Sequence, residues 1–308
     1  MFFELFALAA GIMVLAKSSE LTVKFAERIS VLTGVGKIAI GFILIAVATS
    51  LPELSIAVLS SIKGEGLLSV GNILGSNIMN IALIFGLISM IAAVKISKPD
   101  YKEIRKAVFA TSLLALPLIF LDSVWWAFSV ACFSAFFLYL KSIAGKEFKE
   151  NSIKVNGLIT VETIKTAAAL AVSISAVIIS SFFVTDSAIA IAGIFGIAES
   201  LIGATIVSLG TVMPELSVAI AAVRRGDVEI AIGDGIGSII TNMTLVLGVA
   251  SLASPIYFGD IVRFSAAAMI AINLAFLALA SSGRLGKKSG AILLGLFAAF
   301  LISLFFVA

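Results

Sequence analysis

The sequence predicts an all-α integral membrane protein whose ten transmembrane helices form two inverted five-helix repeats. Three observations lead there. The 308 residues are 61% hydrophobic and only 13% charged, with a mean hydropathy of +1.20, whereas soluble domains run near half apolar and a quarter charged. The charges gather at short intervals, leaving apolar stretches of about the 20 residues that cross a bilayer core. A motif containing Pro and Glu then recurs in the second half of the chain.

In chain order the spans cover approximately residues 5–33, 38–62, 67–94, 104–121, 124–143, 160–185, 197–223, 228–253, 262–282 and 288–307. Lys17, Glu20, Lys24, Glu27 and Arg28 interrupt the first, as in a long tilted helix with a polar face. Asp186 and Glu199 flank the end of the sixth. The first repeat then comprises residues 1–145, with its core motif at 41–86, and a polar connector of residues 146–158 follows on the cytoplasmic side. Residues 159–308 form the second repeat, with its core motif at 203–248. No segment between spans is long enough for a soluble domain. The apolar N-terminus lacks the basic stretch and small-residue cleavage site of a removable signal peptide.

Orientation follows from Lys and Arg, which cytoplasmic loops carry in excess. Loops after the odd-numbered spans hold fifteen: Lys37; Lys95, Lys98, Lys102, Arg105 and Lys106; Lys141, Lys146, Lys149 and Lys154; Arg224 and Arg225; Arg284, Lys287 and Lys288. The other loops hold Lys63 and Arg263. Both termini are therefore expected outside, in a multi-pass cell-membrane protein. The net charge of +3 is topological and calls for no nucleic-acid partner. There is no histidine, and Cys132 is the lone cysteine. Intrachain disulfides, thiolate zinc sites, His-ligated haem and histidine proton relays are thereby excluded, and no cofactor is expected.

The repeat aligns without gaps at an offset of 162 residues, the distance from Glu53 to Glu215. GFILIAVATSLPELSIAVLSSIKG, from Gly41, lies over GATIVSLGTVMPELSVAIAAVRRG, from Gly203. Thr49/Thr211, Pro52/Pro214, Glu53/Glu215, Leu54/Leu216 and Ser55/Ser217 are identical. GNILGSNIMN, from Gly71, lies over GDGIGSIITN, from Gly233, preserving Gly75/Gly237, Ser76/Ser238 and Asn80/Asn242. Matched Leu or Ala would mean little in apolar sequence, but matched Pro-Glu, Gly-Ser and Asn are informative. With five spans per half, the second copy enters the membrane in the opposite direction, as in many secondary transporters.

These residue types read as a cation site. A carboxylate at mid-membrane costs at least ~2.5 kcal/mol, so an intramembrane acid points to function. Pro52 and Pro214 cannot donate to the carbonyls of Ala48 and Gly210, and open backbone at that depth persists only where it is buried in protein or lines a polar cavity. Thr49 and Thr211 lie four residues before their Glu, and Ser50 three before Glu53, on the same helix face. Ser76 with Asn80, and Ser238 with Asn242, present hydroxyl and amide oxygens at the same spacing. All-oxygen ligation selects hard cations such as Ca²⁺, Mg²⁺, Na⁺ or H⁺; two carboxylates neutralise Ca²⁺, and Mg²⁺ prefers to keep its waters. Ser55 and Ser217 read as packing residues, and Asp234, which replaces Asn72, as a residue of the surface or entrance. Glu20, Glu27, Glu162 and Glu199 are expected near the interfaces, Trp125 and Trp126 in an aromatic belt, and the Phe-rich last span against lipid.

ATSLPE (48–53), GTVMPE (210–215) and the two glycine-led motifs at 71–80 and 233–242 resemble the paired α-repeats of sodium/calcium exchangers, within the cation/Ca²⁺ exchanger superfamily. The resemblance implies a secondary antiporter exchanging Ca²⁺ for Na⁺ by alternating access, with the first and sixth helices sliding across the other eight. It implies that Glu53 and Glu215 hold Ca²⁺ with oxygens of Thr49 and Thr211. Flanking Na⁺ sites would use Ser50, Ser76, Ser238 and carbonyls near Ala46 and Ser208, with Asn80 and Asn242 closing the centre. Its partners are Ca²⁺, Na⁺ and the lipid bilayer, with no protein partner implied. Two positions depart from the pattern: Val212 stands where the other copy has Ser50, and Asn242 where some members carry Asp. The alternative is a proton/calcium exchanger using the same glutamates, although its GNxxE pattern is absent.

Other classes fit less well. Channel pores usually arise from oligomeric rings, and an intramembrane enzyme would need a nucleophile and base, or metal-ligating histidines. A purely structural protein has no use for two buried glutamates. Truncating Glu53 and Glu215 together to Ala separates these classes: the variant is expected to fold, by size-exclusion profile, and to lose ion flux, whereas a structural role for the pair would show as loss of folding.

Overall fold

The computed structural model describes residues 2–35, 40–62, 66–150, 160–194, 208–253 and 255–307. They are mostly helical. The helices are α1 (Phe2–Thr33), α2 (Val47–Thr49), α3 (Leu51–Ile62), α4 (Gly66–Ile78), α5 (Phe85–Ile91), α6 (Lys98–Phe120) and α7 (Trp126–Glu150). The second half adds α8 (Val161–Ile194), α9 (Ser208–Arg225), α10 (Val228–Thr241), α11 (Leu247–Ala253), α12 (Asp260–Ala280) and α13 (Lys287–Val307). Segments of π-helix precede α2 (Gly41–Ala46), join α4 to α5 (Met79–Ile84) and join α10 to α11 (Asn242–Val246). Two-residue strands β1 (Val94–Lys95), β2 (Ser123–Val124), β3 (Ile256–Tyr257) and β4 (Arg284–Leu285) lie between helices.

Five of the described segments are long and apolar enough to cross a membrane: Ser69–Ile91, Val161–Ser180, Val228–Leu252, Asp260–Ala280 and Lys287–Leu304. They divide by burial. The two that carry the glycine-led motifs are 78% and 83% buried, and the last is only 17% buried. Large apolar side chains face outward along α6, α7, α8 and α13, among them Leu113, Leu138, Val172 and Phe306. An outer surface this apolar suits lipid rather than water. Trp125 and Trp126 are exposed at the start of α7, as an interfacial belt requires.

The elements recur at the sequence offset. Gly66 and Val228 open α4 and α10, Phe85 and Leu247 open α5 and α11, and Lys98 and Asp260 open α6 and α12. Strand β1 pairs antiparallel with β4, Val94 opposite Leu285. Strand β2 pairs likewise with β3, Val124 opposite Ile256, which reproduces the first pair at the offset to within one residue.

The chain packs as two compact units that cut across the sequence halves, residues 1–49 with 143–234 and residues 50–142 with 235–308. In the first, α1 lies along α8 and both pack on α9, burying Leu15, Val23, Ala26 and Ile29 of α1 and Leu170, Ile174 and Val177 of α8. The charges of α1 are indeed on its outer side: Lys17 pairs with Glu20, Arg28 with Glu162 of α8, and Glu27 with Arg225 of α9. Such exposed pairs contribute ~0–1 kcal/mol each. The segment Gly41–Ala46 approaches α10 backbone to backbone, since a Cβ on Gly41 would lie 2.8 Å from the Ile230 carbonyl oxygen and 3.0 Å from the Asp234 nitrogen.

In the second unit α12 packs on α6 and α4, α13 on α5, and α3 on α4 and α11. Phe85 and Phe276 meet with ring centroids 4.9 Å apart. Gly86 and Gly290 bring α5 and α13 together, because a Cβ on Gly290 would sit 2.7 Å from the Gly86 carbonyl oxygen. Helix α6 starts on a capping box, in which the Asp100 amide donates to Ser97 Oγ at 3.2 Å and the Ser97 amide to Asp100 Oδ2 at 3.3 Å. That cap places the fourth helix's start at Lys98, six residues before the hydropathy estimate.

Two expectations change. Helix α7 continues to Glu150, so residues 146–150 extend the fifth helix instead of opening the connector; Lys146, Glu147, Lys149 and Glu150 are good helix formers and no Pro stops them. Residues 151–158 of the connector and Glu199 lie outside the described residues. The paired prolines also act differently. Around Pro52 the chain passes through π-helix, α2, a turn at Ser50 and α3, whereas α9 runs unbroken through Pro214.

The seam at Gly41 has no room for a methyl group against fixed backbone. Gly41→Ala is expected to destabilise the protein by about 1–3 kcal/mol, seen as a lower melting temperature in detergent.

Candidate cation site

The residues singled out by the repeat are almost all buried. Glu53, Thr49, Ser76, Asn80, Glu215, Ser238 and Asn242 are 0% exposed, Ser50 1% and Thr211 5%. The first unit holds Ala46, Thr49, Ser208, Thr211 and Glu215; the second holds Ser50, Glu53, Ser76, Asn80, Ser238 and Asn242. Each unit thus carries oxygen donors and one of the two repeat glutamates, fully buried.

In the second unit, Glu53 sits in the first turn of α3, directly after Pro52. Ser76 Oγ on α4 donates to Glu53 Oε1 at 3.3 Å, so the two motifs of the first repeat meet here. Asn80 lies in the π-helical turn that follows α4, and Asn242 opens the one that follows α10. Extra-residue π turns are rare and concentrate at functional sites. Neither side-chain amide atom of Asn80 or Asn242 has a hydrogen-bond partner among the described residues, and Ser50 Oγ also lacks one. An unpaired buried amide costs ~1–3 kcal/mol, so four such atoms at repeat-related positions mark a place that expects a polar guest.

In the first unit, Thr49 Oγ1 is 3.3 Å from two acceptors, the Ala46 carbonyl oxygen and Asp234 Oδ1. Asp234 is 0% exposed, which corrects its assignment to the surface or entrance: α10 carries it inward against the tight seam at Gly41. Glu215 and Thr211 are on α9, beyond Ser208 at its first position. Val212 is buried, as Ser50 is, so the second copy has an apolar group in place of a hydroxyl. Ser217 lines a cleft with Glu20, Met213, Arg224 and Arg225; the Ser55 side chain lies outside the described set.

Among the described residues no three His, Cys, Asp or Glu side chains cluster as a metal centre. Any cation held here relies on hydroxyl, amide and carbonyl oxygens beside its carboxylates, the donor set of a hard, readily dehydrated ion. Sequence reasoning missed Asp234 and the π turns. The signal for the first was present, an acid seven residues into an apolar helix that opens at Val228.

The sequence profile described as sodium/calcium exchanger protein matches residues 3–143 and 165–306. The chain belongs to the sodium/calcium exchanger family. It is 31% identical to the sodium/calcium exchanger MaX1 of Methanosarcina acetivorans, over 97% of this chain and 98% of that protein. It is 27% identical to the inner membrane protein YrbG of Escherichia coli, over 98% and 96% of the two chains. Among solved structures, the sodium-calcium exchanger NCX_Mj soaked with Na⁺ and Sr²⁺ superposes with a TM-score of 0.88 at 26% identity, covering 98% of this chain and 99% of that one. This exchanger is accordingly a multi-pass membrane protein.

Because their amides are unanswered within the described residues, Asn80→Leu and Asn242→Leu are each expected to leave the ion-free melting temperature unchanged or to raise it, by up to about 1 kcal/mol in stability. If these amides hold a cation, a Ca²⁺-induced rise in melting temperature is expected in wild type and absent in both variants.

Proposed function

We propose that this exchanger is a ten-span antiporter that carries Ca²⁺ in one direction and Na⁺ in the other by alternating access. The observation that carries the reading is the pair of fully buried glutamates, Glu53 and Glu215, at equivalent repeat positions among hydroxyl, amide and carbonyl oxygens. Family membership and likeness to MaX1 and NCX_Mj support cation/Ca²⁺ exchange. In this reading Glu53, Glu215, Thr49 and Thr211 ligate Ca²⁺. Ser50, Ser76, Ser238 and the carbonyls at Ala46 and Ser208 ligate Na⁺, and Asn80 and Asn242 close the centre. One site takes the two ions in turn because both compete for the same carboxylates.

The inverted arrangement of the two halves is part of the proposal. It is supported by helix starts and strand pairs that recur at the offset, and by contacts between positions related by it. Asn77 Nδ2 donates to the Ile239 carbonyl at 3.5 Å, and Asn273 Nδ2 to Thr111 Oγ1 at 3.5 Å; each pair is separated by 162 residues. A residue touches its own repeat image only close to the axis that relates the copies. The basic loops favour both termini outside.

Proton coupling is the second reading, favoured by the buried Val212, which withholds a hydroxyl that Na⁺ would need. ⁴⁵Ca²⁺ uptake into proteoliposomes decides between them, driven in turn by an outward Na⁺ gradient and an outward H⁺ gradient, with Glu53→Gln as control. Uptake is expected with Na⁺ and none above empty vesicles for Glu53→Gln. Uptake with H⁺ alone would transfer the coupling to protons, and no uptake under either gradient would sink the calcium assignment.

A further inference from the structure

Beyond the ligands carried by the repeat, one acid stands out. Asp234 is fully buried, and its Oδ2 has no hydrogen-bond partner among the described residues. None of the ion pairs among those residues includes it. Its one described hydrogen bond is to the hydroxyl of Thr49. Its counterpart in the first repeat, Asn72, is a neutral amide.

The hydroxyl of Thr49 has a single proton and two lone pairs, yet two acceptors lie 3.3 Å away, Asp234 Oδ1 and the Ala46 carbonyl oxygen. The two share that proton only as a bifurcated bond, in which each acceptor receives part of it. An ionised carboxylate is the stronger acceptor of the two, so an ionised Asp234 draws the larger share. That share comes from the helical back-bond that Thr commonly makes to the third or fourth residue before it, here to the Ala46 carbonyl.

We propose, resting on the assignment of this region as a cation site, that Asp234 is a positioning residue of that site. By drawing on the Thr49 proton it orients the Thr49 oxygen and relieves the Ala46 carbonyl for a hard cation. The close approach at Gly41 keeps α10 against this segment, which is what brings a residue 185 positions distant to Thr49.

Two variants separate the roles. Asp234→Asn keeps an oxygen acceptor for Thr49 and removes the carboxylate; Asp234→Leu removes both with the same branching and heavy-atom count. The half-maximal Na⁺ and Ca²⁺ concentrations for ⁴⁵Ca²⁺ flux are measured together with the ion-induced rise in melting temperature of the purified proteins. Asp234→Leu is expected to raise the half-maximal concentrations about tenfold or more with the maximal rate retained, and Asp234→Asn to fall between it and wild type. Melting temperatures that drop while the half-maximal concentrations and ion-induced shifts stay at wild-type values would reduce Asp234 to a packing role and overturn the proposal. Should Asp234→Leu fail to fold, Asp234→Asn alone decides by the same criterion. Should wild type itself show no flux, the exchange reading fails, while the Na⁺- and Ca²⁺-induced melting shifts of wild type against Asp234→Asn still test this inference; equal shifts overturn it.

Discussion

A polar group inside hydrocarbon has to be answered, by another polar group or by an ion, and the architecture of this chain depends on how each one is. Backbone groups are answered within helices, which is why the described residues are so predominantly helical. Serines and threonines of α1, among them Ser18, Ser19 and Thr22, donate back to carbonyls one turn earlier. Asn273 receives its answer from Ser112, whose Oγ it reaches at 3.0 Å, and Ser129 from Ser251 at 2.8 Å. At Asn80, Asn242, Ser50 and Asp234 the described neighbours leave atoms over. Those four positions lie in the repeat motifs, two of them in the π turns.

The scaffold around them is made for rigidity. Glycines bring backbones within van der Waals distance at Gly41 in one unit and at Gly86 with Gly290 in the other. Without a water-driven hydrophobic effect between helices, such close packing and interhelical hydrogen bonds supply the cohesion. Charged residues are kept to the outer sides of α1, α8 and α9 in pairs that contribute little. The energetic weight of charge therefore falls on Glu53, Glu215 and Asp234, which are fully buried.

Much of this was legible in one dimension. The apolar segments, the offset that pairs Glu53 with Glu215, and the polar positions at Thr49, Ser76 and Asn80 follow from hydropathy and identity. Asp234 is not legible as buried from its place in the chain, because the approach of α10 to Gly41 is what brings it to Thr49. Glu150 ends a helix that hydropathy closed earlier, since polar helix formers continue a helix without adding to an apolar run. The two-residue strands escaped because each makes sense only with its partner, as Val94 does with Leu285.

The sequence by itself determined the solvent, the repeat and the chemistry of the ligand set, because hydrophobicity, periodicity and residue type are properties of the chain read in order. Tertiary structure alone decided which acceptor competes for the Thr49 proton, where the helices take an extra residue per turn at Asn80 and Asn242, and that Glu53 meets Ser76. Each of these depends on a neighbour delivered by packing, and a hydroxyl rotor or a helical register has no preference until that neighbour is in place.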